Sequence, residues 1–115
     1  MSPSHLAMVR KLPCAICGRE WPDWFIVVPH HLLRTGEHGT GRKSSDRWAI
    51  PLCGPHHTAL HNNGDEESYL MNLGLDGRAL ASALWAVRNK PEPLVAAMNV
   101  VFKFWQAAEQ KRRAA

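Results

Sequence analysis

Residues 50–61 read Ile50-Pro-Leu-Cys-Gly-Pro-His-His-Thr-Ala-Leu-His61, and this stretch decides how the chain folds. It opens in a short apolar strand over residues 48–52, which Pro51 restricts to an edge or an end of a sheet. Pro55 suits the first turn of a helix, on which His57 and His61 are four residues apart and share one face. The stretch therefore predicts a strand that turns directly into a metal-binding helix.

A second histidine-bearing segment lies upstream of this stretch. Residues 24–28 are aromatic and β-branched, which predicts a strand, and we expect Pro29 to end it. His30 and His31 then lie at the exit of that strand. Glycine, serine and charged residues dominate residues 34–46, which predicts a loop. The expected order is strand, loop, strand and metal-binding helix.

Three of these histidines suit a single metal ion. His30 at a strand exit and the pair His57 and His61 on the following helix can converge on one point. Three imidazoles leave coordination positions open for water and a phosphate oxygen, as a catalytic site requires. His31 points the other way off an extended backbone, which leaves it free to act as a general base. The alternative is a second structural or adventitious metal site.

A second set of donors is interleaved with the first. Cys14-Ala-Ile-Cys17 and Cys53-Gly-Pro-His56 are two knuckles with the same two-residue gap. Together they have the ligand types and local spacing of a tetrahedral Cys3His zinc site. Because all four positions are filled, we expect this zinc to be structural. The alternative is that three small apolar thiols lie near a histidine by chance, while His5 and His38 are interpreted as ordinary core or surface residues.

Length and composition suit one small basic domain. The 115 residues match a single domain, and a chain this short often needs a structural metal. We divide it into a lead-in (1–12), the zinc knuckles and core (13–64), and a helical extension (65–115). Within the extension, helices are predicted over 65–73, 75–89 and 94–110.

Charge and hydropathy indicate where the protein works. The formal charge of +4 favours a polyanionic partner. No run of apolar residues is long enough for a membrane span, and the first ten residues lack a signal-peptide apolar block. We therefore expect a cytoplasmic protein without a membrane partner, whose cysteines bind metal rather than form disulfides.

At these residues the chain resembles the HNH, or His-Me finger, endonucleases. It is most similar to the phage and prophage group that includes a RecA-dependent nuclease. The most specific matches are CxxC (14–17), PHHLLR (29–34), GTGRKSSD (39–46), IPLCGPHH (50–57) and ALHNNGDE (59–66). The resemblance implies an α+β fold: a small ββα-metal core with a structural zinc knuckle pair and additional C-terminal helices.

The resemblance also assigns roles. It makes His30, His57 and His61 the ligands of the catalytic ion and His31 the general base. The middle Asn of the HNH pattern is absent, since its place falls on Trp48. Asp46, two residues earlier, could brace the His31 loop by accepting backbone hydrogen bonds. Four basic residues flank the site and are expected to hold phosphates without reading sequence: Arg34, Arg42, Lys43 and Arg47.

The expected activity is that of a metal-dependent DNA endonuclease with low intrinsic sequence specificity. It implies a phage or prophage origin, a link to DNA recombination, repair or packaging, and work in the cytoplasm of a bacterial or phage-infected cell. The expected cofactors are a structural Zn and one divalent ion (Zn, Mg, Mn or Ni) at the catalytic site. The expected partners are DNA and a recombination or replication protein.

Two other functions remain open. One is a non-catalytic zinc-binding module that docks on DNA or on a recombination protein, which would not need His31. The other is a protein-binding adaptor whose interface is the C-terminal helix with Phe102, Phe104 and Trp105.

Overall fold

A computed structural model describes residues 3–18, 27–32 and 45–114 of the chain. The described part has α1 (Pro3–Arg10), β1 (Val27–His31), a 3-10 turn (Asp46–Trp48), β2 (Ala49–Cys53), α2 (Gly54–Asn63), α3 (Glu66–Asn72), α4 (Gly77–Ala86) and α5 (Pro93–Ala114). It is a small α+β protein in which a two-stranded sheet is surrounded by helices.

The two strands are antiparallel, and their register shows that Pro29 does not end β1. Pro29 lies in the middle of the strand, directly opposite Pro51. The Pro51 carbonyl accepts a hydrogen bond from Ala15 N at 3.0 Å, so this residue turns its backbone polar groups away from β1. Pro29 and Pro51 form a non-hydrogen-bonded pair, in which neither residue donates to the other strand. The absence of an N–H on each proline therefore costs no hydrogen bond between the strands. Of the predicted strand over residues 24–28, residues 24–26 lie outside the described part.

The second strand and the helix after it follow the sequence closely. All five residues of β2 are buried, and α2 begins at Gly54 with Pro55 in its first turn. Gly64 has a φ of 85° and ends α2 in the left-handed conformation that favours glycine. The strand that turns directly into a helix, predicted from residues 50–61, is therefore confirmed. Metal binding by that helix stays a prediction.

The C-terminal helices differ from the prediction only at their ends. α3 starts after Asp65, whose carboxylate accepts a hydrogen bond from Ser68 N at 3.1 Å. The predicted helix over 75–89 is shorter, because Asp76 caps α4 through Ala79 N at 3.0 Å. α5 is longer than predicted and reaches Ala114.

One apolar core joins these elements. The largest fully buried side chains in the described residues include Leu12, Ile50, Leu52, Leu75, Leu80 and Leu84. On α5, Ala97 and Val101 are buried in this core, and Leu94 and Met98 pack against it. None of the helices among the described residues is long and apolar enough to cross a membrane.

Candidate metal centres

The first candidate centre combines Cys14, Cys17, Cys53 and His56. The ligand atoms of these four residues all lie within 4.8 Å of one another. Cys14 and Cys17 come from a tight turn that Gly18 closes, with its N–H donating to the Cys14 carbonyl at 2.8 Å. Cys53 ends β2, and His56 lies in the first turn of α2. The structure therefore brings together all four residues that the spacing predicted.

Of the two sulfur–nitrogen distances in this cysteine centre, the one from Cys14 matches a tetrahedral metal site and the one from Cys53 is shorter. Cys14 Sγ lies 3.6 Å and Cys53 Sγ 3.1 Å from His56 Nδ1. A sulfur about 2.3 Å and a nitrogen about 2.1 Å from one tetrahedral zinc are separated by about 3.6 Å. Burial raises the pKa of the Cys14 and Cys53 thiols, so a bound cation is what would favour their thiolate forms. Four protein donors complete a tetrahedral set, which is typical of a structural site.

The second candidate centre combines His30 of β1 with His57 and His61 of α2. Their ligand atoms lie within 4.8 Å of one another, and His57 Nε2 is 3.1 Å from His61 Nε2. Two nitrogens about 2.1 Å from a common ion are separated by about 2.9–3.4 Å at ordinary coordination angles. Burial, followed by the charges of His30 and His61, lowers the pKa of His57 and favours the neutral imidazole that binds metal. The histidine centre thus fits a divalent ion.

Exposure distinguishes the histidine centre from the cysteine centre. His30 is buried on β1, His57 is half-buried, and His61 lies at the surface. Three donors leave positions open in a four- to six-coordinate ion, and the exposed side of the cluster is accessible to a ligand. This is the arrangement expected of a site that binds a substrate.

Sequence reasoning missed Glu66, which contacts the histidine centre at His30. Glu66 Oε1 contacts His30 Nε2, and the two side chains are nearly buried. Glu66 begins α3, where the Gly64 turn and the Asp65 cap bring the helix back towards β1. A carboxylate there can accept the ring N–H and fix the tautomer of His30. Glu66 is the last residue of the ALHNNGDE stretch (59–66) that carries part of the resemblance, which assigned it no role.

His31 projects away from His30, as the strand alternation predicted, and is held by Asp46. His31 Nε2 lies 2.9 Å from Asp46 Oδ1, and the two side chains are 29% and 15% exposed. The carboxylate accepts the Nε2–H, which leaves Nδ1 as the ring nitrogen with a free lone pair. Asp46 was expected to accept backbone hydrogen bonds of the His31 loop, whereas the structure shows a contact with the imidazole itself.

The remaining predicted residues are only partly described. Arg34, Arg42, Lys43 and His38 lie outside the described residues. Arg47 is exposed, and its guanidinium lies 5.2 Å from the centre of the Trp48 ring. His5 is buried with its ring edge-on to Trp85 at 5.0 Å, in agreement with its interpretation as a core residue.

The fold and the two donor clusters define a small α+β domain with two candidate metal centres. Residues 1–86 match the family described as "Protein of unknown function (DUF968)", and the chain belongs to this family. The match includes both centres and ends before α5.

The chain is also similar to a protein described as "Uncharacterized protein YdfU" of Escherichia coli (strain K12). The two are 38% identical over 78 residues, which are 66% of this chain and 21% of the relative. The chain thus spans about a fifth of the length of the curated relative that it matches. No solved structure matches the chain.

Proposed function

We propose that this protein is a metal-dependent DNA endonuclease of the HNH, or His-Me finger, type. One observation carries the proposal. The Asp46 carboxylate orients the imidazole of His31, and the residue just before it, His30, belongs to the three-histidine cluster. An oriented general base next to an open metal centre suits hydrolysis of a phosphodiester.

His31 is the residue that would move the proton in this reaction. Its Nδ1 takes a proton from a water molecule, whose oxygen then forms a bond to phosphorus as the bond to the 3′ oxygen breaks. Asp46 keeps the Nε2–H in place and stabilises the imidazolium that results. The departing 3′ oxygen takes a proton from solvent, and the products carry 5′-phosphate and 3′-hydroxyl ends.

The other residues of the histidine centre hold and orient the cofactor. His30, His57 and His61 would bind the divalent ion, and Glu66 holds the His30 ring in place. When bound, such an ion stabilises the negative charge that develops on the phosphate in the transition state.

The cysteine centre supports this site through α2. His56 belongs to the cysteine centre, and the next residue on the helix, His57, belongs to the histidine centre. A metal that fixes His56 and Cys53 therefore fixes the first turn of α2 and the position of His57 relative to β1. We propose zinc for this structural role, because thiolate and imidazole donors in tetrahedral sets favour it.

The net charge of +4 and the exposed Arg47 support a nucleic-acid substrate. We propose DNA of low sequence specificity as that substrate, and a recombination or replication protein as a second partner.

A plasmid-nicking assay with Mg, Mn, Zn or Ni tests the proposal. We expect His31→Ala to lower the nicking rate about 10²- to 10⁴-fold, because the general base is lost, while metal content per chain stays unchanged. Thr58→Ala, an exposed position on α2, is the matched control and should nick at the wild-type rate.

Two outcomes would contradict the proposal. If His31→Ala nicks as fast as the wild type, His31 is not the base. If the wild type binds DNA and metal but cuts with none of the four ions, the protein is the non-catalytic zinc-binding module.

A further inference from the structure

The turn of the cysteine centre is covered from outside by α5. Gly18, which closes the Cys14–Cys17 turn, has a φ of 67°, and a Cβ at this position would lie 2.6 Å from the Trp105 ring. A glycine is therefore required here both for the backbone conformation and for the close approach of Trp105. α5 thus packs directly on the segment that presents the two sulfurs.

Arg112 adds a polar contact at the same place. Its Nη2 donates to the Ile16 carbonyl at 3.2 Å, and Ile16 lies between Cys14 and Cys17. Its Nη1 donates to the Leu73 carbonyl at 2.8 Å, just after α3. A further contact joins Nη2 to Glu109 Oε2 at 2.7 Å, one turn earlier on α5, which holds the guanidinium in this position. One planar group therefore links the metal-binding turn to α3.

α5 also packs against a second glycine turn, at Gly74, next to the Leu73 carbonyl. Gly74 has a φ of 80°, and a Cβ there would lie 3.0 Å from the Ala108 carbonyl oxygen. The last three turns of α5 therefore contact two left-handed glycine turns. Arg112 donates to the Leu73 carbonyl just before Gly74 and to the Ile16 carbonyl two residues before Gly18. Because the guanidinium is rigid and its donors are fixed in a fork, it sets the distance between the two carbonyls.

We infer that Arg112 is a positioning residue of the cysteine centre, which holds the Ile16 carbonyl so that Cys14 and Cys17 present their sulfurs in the geometry that zinc requires. This inference rests on metal binding by the cysteine centre, and it is independent of nuclease activity. Outer-shell partners of metal ligands contribute about 10- to 100-fold to metal affinity.

Cobalt(II) titration of the purified, metal-depleted protein tests this role. The sulfur-to-cobalt charge-transfer band reports only ions bound by cysteine, so the histidine centre does not contribute to it. The shape of the visible ligand-field bands reports the coordination geometry. The variants are Arg112→Gln, which loses the charge and the fork, and Arg112→Lys, which keeps the charge alone. Arg113→Gln is the matched control, since Arg113 is 79% exposed and pairs with the same Glu109.

We expect Arg112→Gln to weaken cobalt binding about tenfold or more and to change the ligand-field bands. Arg112→Lys should weaken binding as well, because an ammonium cannot bridge two carbonyls in fixed geometry. Arg113→Gln should match the wild type. Leu94→Ala loosens α5 at the end opposite Arg112, where Leu94 packs against the core, so it should lower the melting temperature without altering the cobalt spectrum.

Several results would overturn the inference. Wild-type affinity and spectrum in Arg112→Gln would show that Arg112 has no influence on the centre. Full recovery in Arg112→Lys would show that charge, and not the carbonyl contacts, matters. A spectrum in Leu94→Ala as altered as that of Arg112→Gln would assign the effect to α5 packing in general. A wild-type protein without the charge-transfer band would remove the cysteine centre itself, which is a separate failure.

Discussion

The cysteine and histidine centres meet at the start of α2, yet their surroundings are opposite. In the cysteine centre the donors Cys14 and Cys53 are buried, and backbone hydrogen bonds fix the surrounding turn. In the histidine centre a buried His30 is followed by progressively more exposed donors, and the carboxylate of Glu66 lies next to His30. Donor number and burial together distinguish a closed set of four donors from a set of three that reaches the surface.

The largest effect should come from removing a donor of the cysteine centre. Cys53 is 1% exposed and joins β2 to α2, so Cys53→Ser removes a ligand and leaves a polar hydroxyl in the core. Structural zinc contributes about 10–16 kcal/mol of apparent binding free energy in small domains, about as much as the whole stability of such a domain. We expect the variant to be unfolded at 25 °C by circular dichroism, and the wild type to unfold when zinc is removed with a strong chelator. A Cys53→Ser protein that melts like the wild type would show that the cysteines are ordinary core residues.

Removing a donor of the histidine centre should abolish the proposed nuclease activity and leave the fold intact. His57→Ala leaves the ion with two imidazoles, so we expect about one metal ion per chain fewer and loss of nicking. The melting temperature should fall by no more than a few degrees, because His57 is only half-buried. Elemental analysis and thermal melting measure both quantities, with Thr58→Ala as the control. If His57→Ala unfolds as completely as Cys53→Ser, the histidine centre also stabilises the fold, which would contradict this prediction.

A smaller effect is expected at the carboxylate that orients His31. Asp46→Asn keeps the size of the side chain but loses the charge that stabilises the imidazolium. Because the pair is partly exposed, we expect a decrease in the nicking rate of about 10- to 100-fold, less than in a buried triad. Metal content should not change. Loss of metal from this variant would show that Asp46 supports the histidine centre rather than His31.

The smallest effect concerns His5, which belongs to neither centre. Burial first, and the charge of Arg88 second, lower the pKa of His5 below its ordinary value of 6.5. The unfolded chain therefore binds a proton at His5 more readily than the folded chain does. The stability that depends on a neutral His5 is fully present above about pH 6.5, and it is lost as the pH falls below that value.

His5→Phe removes the titrating group, and with it this pH dependence, and keeps the edge contact with Trp85. Between pH 7.5 and 5.5, we expect its free energy of unfolding to fall by less than that of the wild type, with a difference of up to about 1 kcal/mol. Denaturant titrations at the two pH values measure it. Equal pH dependence in the two proteins would show that His5 does not contribute.

The features that the sequence predicted are the ones encoded in short spacings. Two knuckles with a two-residue gap and a pair of histidines four apart place their donors through local geometry alone, and the structure brings both sets together. The opposite directions of His30 and His31 follow in the same way from the alternation of a strand.

The features that were missed depend on contacts between distant segments. The role of Pro29 follows from its pairing with Pro51, which the sequence of one strand does not contain. The contact of Glu66 with His30 requires the direction in which α3 leaves the Gly64 turn. Arg112 reaches Ile16 only because two glycine turns let α5 approach closely, and a basic residue near a helix end gives no sign of this in the sequence.

The most direct test of two distinct centres is a crystal structure of the purified protein with each metal identified by anomalous scattering. We expect one ion bound by Cys14, Cys17, Cys53 and His56, and a second ion bound by His30, His57 and His61 with solvent on its exposed side. An ion bound by the cysteine centre alone, with the imidazoles of the three histidines directed away from one another, would contradict this expectation.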